Sequence, residues 1–393
     1  MTSVRISTIL LGLMLLTATA MAQIPGTEPQ DPVTFGGYLK YLPSVSIPES
    51  GDKLYDQLIH QRFNLEYRFP ASLSFAAGMR NRLFYGDSVT LPGYNRLIGF
   101  DPGTLDLSWN WLDSGQWLGN SSLDRLYLDW QPGDYQLRIG RQRIAWGMTT
   151  LWNPNDLFNA YSIYDIDYAE RPGTDALLLG KAFGFAEATE VVWAFADDWE
   201  GSSLAVRYQF NRSGYDIQFL AGKNKIDLIG GIGFAGSVVG AGLRGELSYF
   251  APYKKEWEGA ATHRTTVATL EADHAITGTR NIVVKIAALY ISNPDSPGNS
   301  LSYLSRPLTP RALSFTHWTG YTDFGIDLTA LNRQSFGASL YDDGSWYLLA
   351  SNATSLADDW ELLLVWQHFD GKSGSLFGED PTDLLFGRVQ WSF

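Results

Sequence analysis

Short runs of alternating apolar and polar residues fill most of this chain. Ile59, Phe63, Leu65, Tyr67 and Phe69 share one parity, and His60, Arg62, Asn64, Glu66 and Arg68 take the other. Leu73, Phe75, Ala77 and Met79 alternate with Ser74, Gly78, Arg80 and Arg82. The same holds for Leu126, Leu128 and Trp130 against Arg125, Tyr127 and Asp129, and for Leu204, Val206, Tyr208 and Phe210 against Arg207 and Gln209. Near the end, Trp360, Leu362, Leu364 and Trp366 alternate with Glu361 and Gln367. A period of two marks a strand with two unlike faces. Runs of about ten residues suit a tilted strand that crosses a bilayer. Some connections are tight: Gln131-Pro132-Gly133-Asp134, Asn211-Arg212-Ser213-Gly214 and Asp342-Asp343-Gly344. Others are long and polar: Asp87 to Asn120, Pro294 to Pro310 and Asp370 to Asp383.

The pattern predicts an all-β fold: one closed antiparallel transmembrane β-barrel with long extracellular loops and short periplasmic turns. At roughly 20–25 residues per strand and connection, the expected count is about 16 strands, within 14–18. The terminal strand should run downward. A soluble β-sandwich also alternates, but the runs are of similar length, no linkers divide them, and Trp and Tyr gather near their ends. The register between Arg311 and Tyr341 stays open.

Composition narrows this reading. With 14 Trp, 20 Tyr, 21 Phe and 39 Gly, hydrophobic content is only 45%, too little for several long apolar helices. After the N-terminus, the candidate run is Leu228 to Leu243, and it carries six Gly. It falls short of the roughly 20 residues a spanning helix needs, so it reads as two glycine-rich strands or a strand and a turn. The formal charge of −13 argues against nucleic acid, whose phosphates need a basic face. The absence of Cys excludes a disulfide framework and thiolate chemistry. The five His are scattered, without ligand-like pairing or a convincing Ser or Asp arrangement nearby. No metal, cofactor or enzymatic activity is expected.

The ends point the same way. Arg5, the apolar core Ile6 to Leu16 and the cleavage site Ala20-Met21-Ala22 read as a signal peptide over 1–22, leaving 23–393 as a single barrel domain. At the other end Leu385, Val389, Trp391 and Phe393 share one parity, with Phe386, Arg388 and Gln390 on the other. An alternating last strand closing on an aromatic residue resembles that of bacterial outer-membrane barrels. The resemblance implies outer-membrane lipid as surroundings and recognition of Phe393 by the barrel-assembly machinery. A homotrimer is an assembly such a wall allows.

The stretch Tyr135 to Asp156 organises the chain. Tyr135, Leu137 and Ile139 should face lipid, yet Arg141 and Arg143 share their parity. A lipid-facing Arg costs about 2–4 kcal/mol at mid-bilayer. A β-bulge near Gly140 would place Arg141 and Arg143 inside and Ile144 and Trp146 outside; alternatively both arginines stand above the membrane. Asn153-Pro154-Asn155-Asp156 reads as a helix start, predicting a short helix near Pro154 to Asn159. The connection that follows could fold into the lumen, with Asp156, Asp165, Asp167 and Glu170 forming a constriction, or pack over the rim. The phrase Ala-Asp-Asp-Trp-Glu occurs at 196–200 and 357–361, and reads as recurring turn chemistry with an interfacial Trp.

Gly140-Arg141-Gln142, Trp146-Gly147, Asn153-Pro154 with Asp156, and Arg171-Pro172-Gly173 resemble a stretch in little-characterised outer-membrane barrels of Gram-negative bacteria. A similar Gly-Arg-Gln strand occurs in alginate-export-type channels. The resemblance implies an outer-membrane location and porin-like transport, and names no substrate. The expected function is a diffusion channel for small polar or charged solutes. Arg62, Arg80, Arg82, Arg125, Arg138, Arg141, Arg143 and Arg207 would line the pore as a basic strip, facing acid from the inward loop. The same arginines could instead brace the wall by pairing with inward Asp and Glu. A dedicated channel for an anionic ligand or polymer, and a surface receptor or adhesin, are the other readings.

Overall fold

A computed structural model of the chain describes residues 31–160, 164, 173–257, 259–297, 299–305 and 308–393. The expected signal peptide, and Asp165, Asp167, Glu170, Arg171 and Pro172, lie outside the described residues. The first part of the wall is β1 (Val33–Pro48), β2 (Leu54–Phe69), β3 (Leu73–Gly86), β4 (Ser108–Ser114), β5 (Trp117–Trp130), β6 (Tyr135–Gln142) and β7 (Thr174–Gly184). Then come β8 (Glu187–Ala194), β9 (Ser203–Arg212), β10 (Tyr215–Asn224), β11 (Asp227–Val238) and β12 (Ala241–Pro252). A small hairpin of β13 (Glu256–Trp257) and β14 (Ala260–Ala261) stands apart from the wall. The wall resumes with β15 (Thr265–Ile276), β16 (Ile282–Ile291), β17 (Trp318–Thr329), β18 (Asn332–Tyr341), β19 (Ser345–Ala357), β20 (Trp360–Gly371) and β21 (Thr382–Ser392).

Each wall strand pairs antiparallel with the next, and β1 pairs with β21, so the sheet closes on itself. Closure leaves no unpaired edge for a bilayer to expose. β3 pairs directly with β5, while β4 lies along the upper part of β5 only. The closed wall therefore has 18 strands, not about 16. The excess arises because most connections at one end hold only a few residues, so each strand uses less chain than expected.

That end, the short-turn end, carries the Pro132-Gly133 turn and the left-handed pairs Ser213-Gly214 and Val239-Gly240. The glycine-rich run is indeed two strands, β11 and β12, joined by Val239-Gly240. Asp342-Asp343-Gly344 is a tight turn at the opposite, long-loop end. The two Ala-Asp-Asp-Trp-Glu copies also sit at opposite ends, each between strands, with Trp199 and Trp360 exposed.

Alternation becomes two faces. Leu39, Tyr41, Ile59 and Phe63 are exposed on the outside, while Tyr38, Lys40, His60 and Arg62 are buried within. An apolar outer belt is what lipid demands of a closed barrel. The last residue belongs to the closure: Phe393 exchanges two backbone hydrogen bonds with Gly37 (2.9 and 3.0 Å), and its ring lies 6.2 Å from those of Phe35 and Phe63.

The bulge expected at Gly140 is not there. The β5–β6 and β6–β7 ladders run through Gly140 without a register shift. Instead Gly140 takes φ +120°, and a Cβ there would come within 2.2 Å of the Leu126 carbonyl oxygen. A left-handed glycine swivels the strand so that Ile139 faces out and Arg141 in, without an inserted residue. The bulge in this part of the wall falls on β5, where Asp124 has no partner opposite Gly78 and Met79.

Candidate functional site

Beyond Gln142 the chain leaves the wall and turns into the barrel. Ile144, Trp146, Trp152 and Leu157 are buried against inward side chains of β7 to β16, among them Leu178, Val192, Leu220, Phe250 and Leu289. Ile144 and Trp146 thus face the lumen, not lipid. The reason is chemical: a buried indole N–H needs an acceptor, and Trp146 Nε1 donates to Glu190 Oε2 at 2.7 Å. Arg207 sits 5.6 Å from the Trp146 ring and pairs with Glu190 at 3.0 Å.

No helix forms at Pro154. The chain makes one turn, with Asp156 N donating to Asn153 O at 3.1 Å. The Asn155 amide, which would have served the helix start, goes to the Glu246 carboxylate at 2.9 Å. Glu246 of β12 also accepts the amides of Met148 and Thr149. On the neighbouring strand β15, Glu271 accepts the amides of Thr150 (2.9 Å) and Leu151 (3.2 Å) and the Thr150 hydroxyl (2.8 Å). Charge-assisted bonds of this kind are about twice as strong as neutral ones, and they outbid the local capping preference.

The glycine strand makes room for this segment. A Cβ on Gly231 would lie 2.8 Å from the Asn155 side chain, and one on Gly233 2.9 Å from it and 3.0 Å from Met148 Sδ. Gly233→Val is expected to cost about 1–3 kcal/mol, the usual range for overpacking. It should also make the 148–155 segment cleavable by added protease while the barrel stays folded. Limited proteolysis of the folded protein checks both.

Opposite this filled half lies a basic wall. Register places inward residues of β1, β2, β3 and β21 in tiers. Leu42, Leu58 and Phe84 are adjacent across the ladders, with Phe386 opposite Ser44. With Tyr94 and Tyr164 they line a cavity of about 340 Å³. Tyr94 comes from α1 (Tyr94–Gly99), which folds over β3 and sets its ring 5.9 Å from Phe84. Burial, with the Asp56 charge nearby, pushes the Tyr94 hydroxyl up to about 12, so it stays neutral. Two residues nearer the short-turn end on the same strands are Lys40, His60, Arg82 and Arg388.

The predicted pore arginines divide by partner. Arg62, 1% exposed, grips Asp124 with both terminal nitrogens at 2.6 and 2.9 Å. Arg80 reaches the same carboxylate at 3.4 Å. Arg82 donates to Asn120 Oδ1 (2.7 Å) and Ile98 O (3.2 Å), and Arg125 to Asp124 O (2.7 Å). Arg138 pairs with Asp129 at 2.7 Å. Arg141 is locked between Asp175 (2.8 Å) and Asp101 (2.5 Å). Arg80, Arg82 and Arg141 together line a small cleft under Phe100 and Pro102. Arg143 is exposed beyond the end of β6. Asp156 is fully buried and accepts the Trp146 amide at 3.3 Å, so it braces the segment and does not face the lumen.

Sequence reading missed Lys40, Glu246 and Glu271. Lys40 lies between Leu39 and Tyr41 in a strand whose Gly36, Gly37 and Pro43 dilute the alternation. The two glutamates obey strand parity, and their partners were invisible without the inward segment.

The long connections also turn inward. Phe377 packs with Tyr303, Phe315, Tyr341 and Phe369 in a second buried cluster at the long-loop end. Arg311 ties its segment to Asp227 at 3.0 Å.

No family model matches the chain, and no curated protein matches it in sequence. Solved structures do match in shape. OccK11 (OpdR) of Pseudomonas aeruginosa is 8% identical, with 92% of this chain and 96% of that one covered at a TM-score of 0.57. OccAB4 of Acinetobacter baumannii is 9% identical, with 93% and 99% covered at 0.56. The outer-membrane protein OpdK of P. aeruginosa, solved with vanillate, is 10% identical, with 91% and 98% covered at 0.53. The chain therefore has the closed β-barrel fold of outer-membrane porins.

Proposed function

We propose that the chain is an outer-membrane channel of a Gram-negative bacterium that passes small anionic solutes along its basic wall. The observation that carries the reading is the division of the lumen. An apolar core fills the side of β7 to β16, so solute is left the side where Arg80, Arg82 and Arg388, the last paired with Glu361, are partly exposed, with Lys40 and His60 buried in the same wall. A narrow, low-dielectric passage focuses the field of such charges. The cavity under Tyr94 is within the size range of small-molecule sites. It offers mainly apolar surface one tier from cations, with the lining carboxylate of Asp56 held by the Ser88 amide and hydroxyl, which suits an anion with a ring or short chain. Vanillate, held by OpdK, is a molecule of this chemistry, an aromatic carboxylate.

The test is selectivity. Arg80→Gln with Arg82→Gln is expected to lower the anion-to-cation permeability ratio severalfold in planar bilayers. An unchanged ratio would remove these residues from the path. A receptor role for the 370–383 connection draws less support, because Phe377 is buried within the barrel. Phe393, partly exposed at the outer belt, is the residue we assign to the assembly machinery.

A further inference from the structure

We infer that the inward segment 148–155 determines charge selectivity by covering an acidic wall and shielding it with its own backbone amides. The inference rests on the channel reading above. The inner faces of β12, β15, β16 and β17 carry Glu246, Glu271, Asp273 and Asp323 against Arg244 and Lys285. Uncovered, this half of the lumen would be net acidic and would oppose the basic wall. The segment covers it. Five consecutive or near-consecutive amides, of Met148, Thr149, Thr150, Leu151 and Asn155, point at the two glutamates. Successive N–H groups aimed at one point form an anion-binding concavity with fixed partial positive charge. Glu246 is left 4% exposed and Glu271 1%.

The remaining contacts are also directed. Arg244 pairs with Glu271 at 3.1 Å and also binds Asp273. Lys285 donates to the Thr150 hydroxyl, so its charge joins the same cluster. Independently, the wall is cut to receive the segment: any side chain at Gly231 or Gly233 would strike Asn155. Ser248 Oγ lies 2.7 Å from Asn155 Oδ1 and 3.1 Å from Pro154 O, the two acceptors within reach of its one hydroxyl proton. An apolar wall would hold the apolar residues of the segment equally well. Two carboxylates gathering amides are explained by what the segment hides.

The test exchanges residues 148–155 for a Gly/Ser linker of equal length and reads the reversal potential under a salt gradient. The linker barrel should shift toward cations relative to the unaltered chain. Adding Glu246→Gln and Glu271→Gln to the linker barrel should return it toward anions, whereas the same pair in the unaltered chain should shift selectivity little. Equal shifts in both backgrounds, or a linker barrel with unaltered selectivity, would overturn the inference. If the linker barrel fails to fold, Gly233→Val replaces it, since it displaces the segment without changing charge. A readout independent of current uses the absence of native Cys. Leu151→Cys should react with a soluble thiol reagent faster by about tenfold or more once both glutamates are Gln, as expected on losing charge-assisted bonds. An unchanged rate would overturn the cradle itself. No current from any folded barrel would overturn the channel reading, and the selectivity role with it.

Discussion

Arg141→Ala is expected to destabilise the barrel by about 3–5 kcal/mol, the range for removing one partner of a buried ion pair. The side chain is 4% exposed and serves two carboxylates, Asp175 of β7 and Asp101 of the connection over β3. It also donates to the carbonyls of Leu105 and Leu123. Alanine leaves two acids in a site with almost no water and frees the 101–107 segment from the wall. Lysine should rescue only part of the loss, because one ammonium cannot hold a bidentate Asp175 and reach Asp101. Equilibrium urea unfolding in lipid vesicles measures this. A cost below about 1 kcal/mol, the worth of an exposed pair, would show that the three-way clamp is not formed.

Phe377→Ala should have the second-largest effect. The ring is fully buried, with centroids 5.0 Å from Phe369, 5.3 Å from Phe315 and 5.5 Å from Tyr341. Truncating such a ring costs about 3–5 kcal/mol, and each aromatic pair contributes about 0.5–1.5 kcal/mol beyond burial. The amides of Leu376 and Phe377 are tied to Asp343 (2.9 Å) and Ser345 (3.0 Å), so the damage should stay local. Hydrogen exchange is expected to rise across 372–381 and not in the wall. Single-channel conductance should increase as the long-loop end opens. Unchanged exchange there would place the segment outside the lumen.

Much of the architecture was legible because it rests on one period. Alternation at Ile59–Phe69 or Leu126–Trp130 reports two solvents on two faces, whatever the neighbours are. The glycine run of β11 and β12 was readable on other grounds, since six Gly disfavour a helix and the run is too short to span as one. Strand number was harder, because it depends on how little chain the turns consume. The stretch after Gly140 was misread where tertiary partners overrode local chemistry. Gly140 itself solved the parity conflict by its φ angle, where an inserted residue had been expected. The expected bulge put Trp146 outside, whereas Glu190 and Arg207 receive it inside the barrel. Pro154 looked like a helix start until Glu246 took the amide. Arg62 and Arg141, expected to line the pore, are buried braces held by Asp124 and Asp175. Parity gives the side of a residue and says nothing of its partner.

The most direct test of the account is the reversal potential of the refolded, otherwise unaltered protein in a planar bilayer under a potassium chloride gradient. The basic wall and the masked acidic wall predict discrete current steps with a reversal potential on the chloride side. A folded barrel that carries no current, or one that prefers potassium, would contradict it.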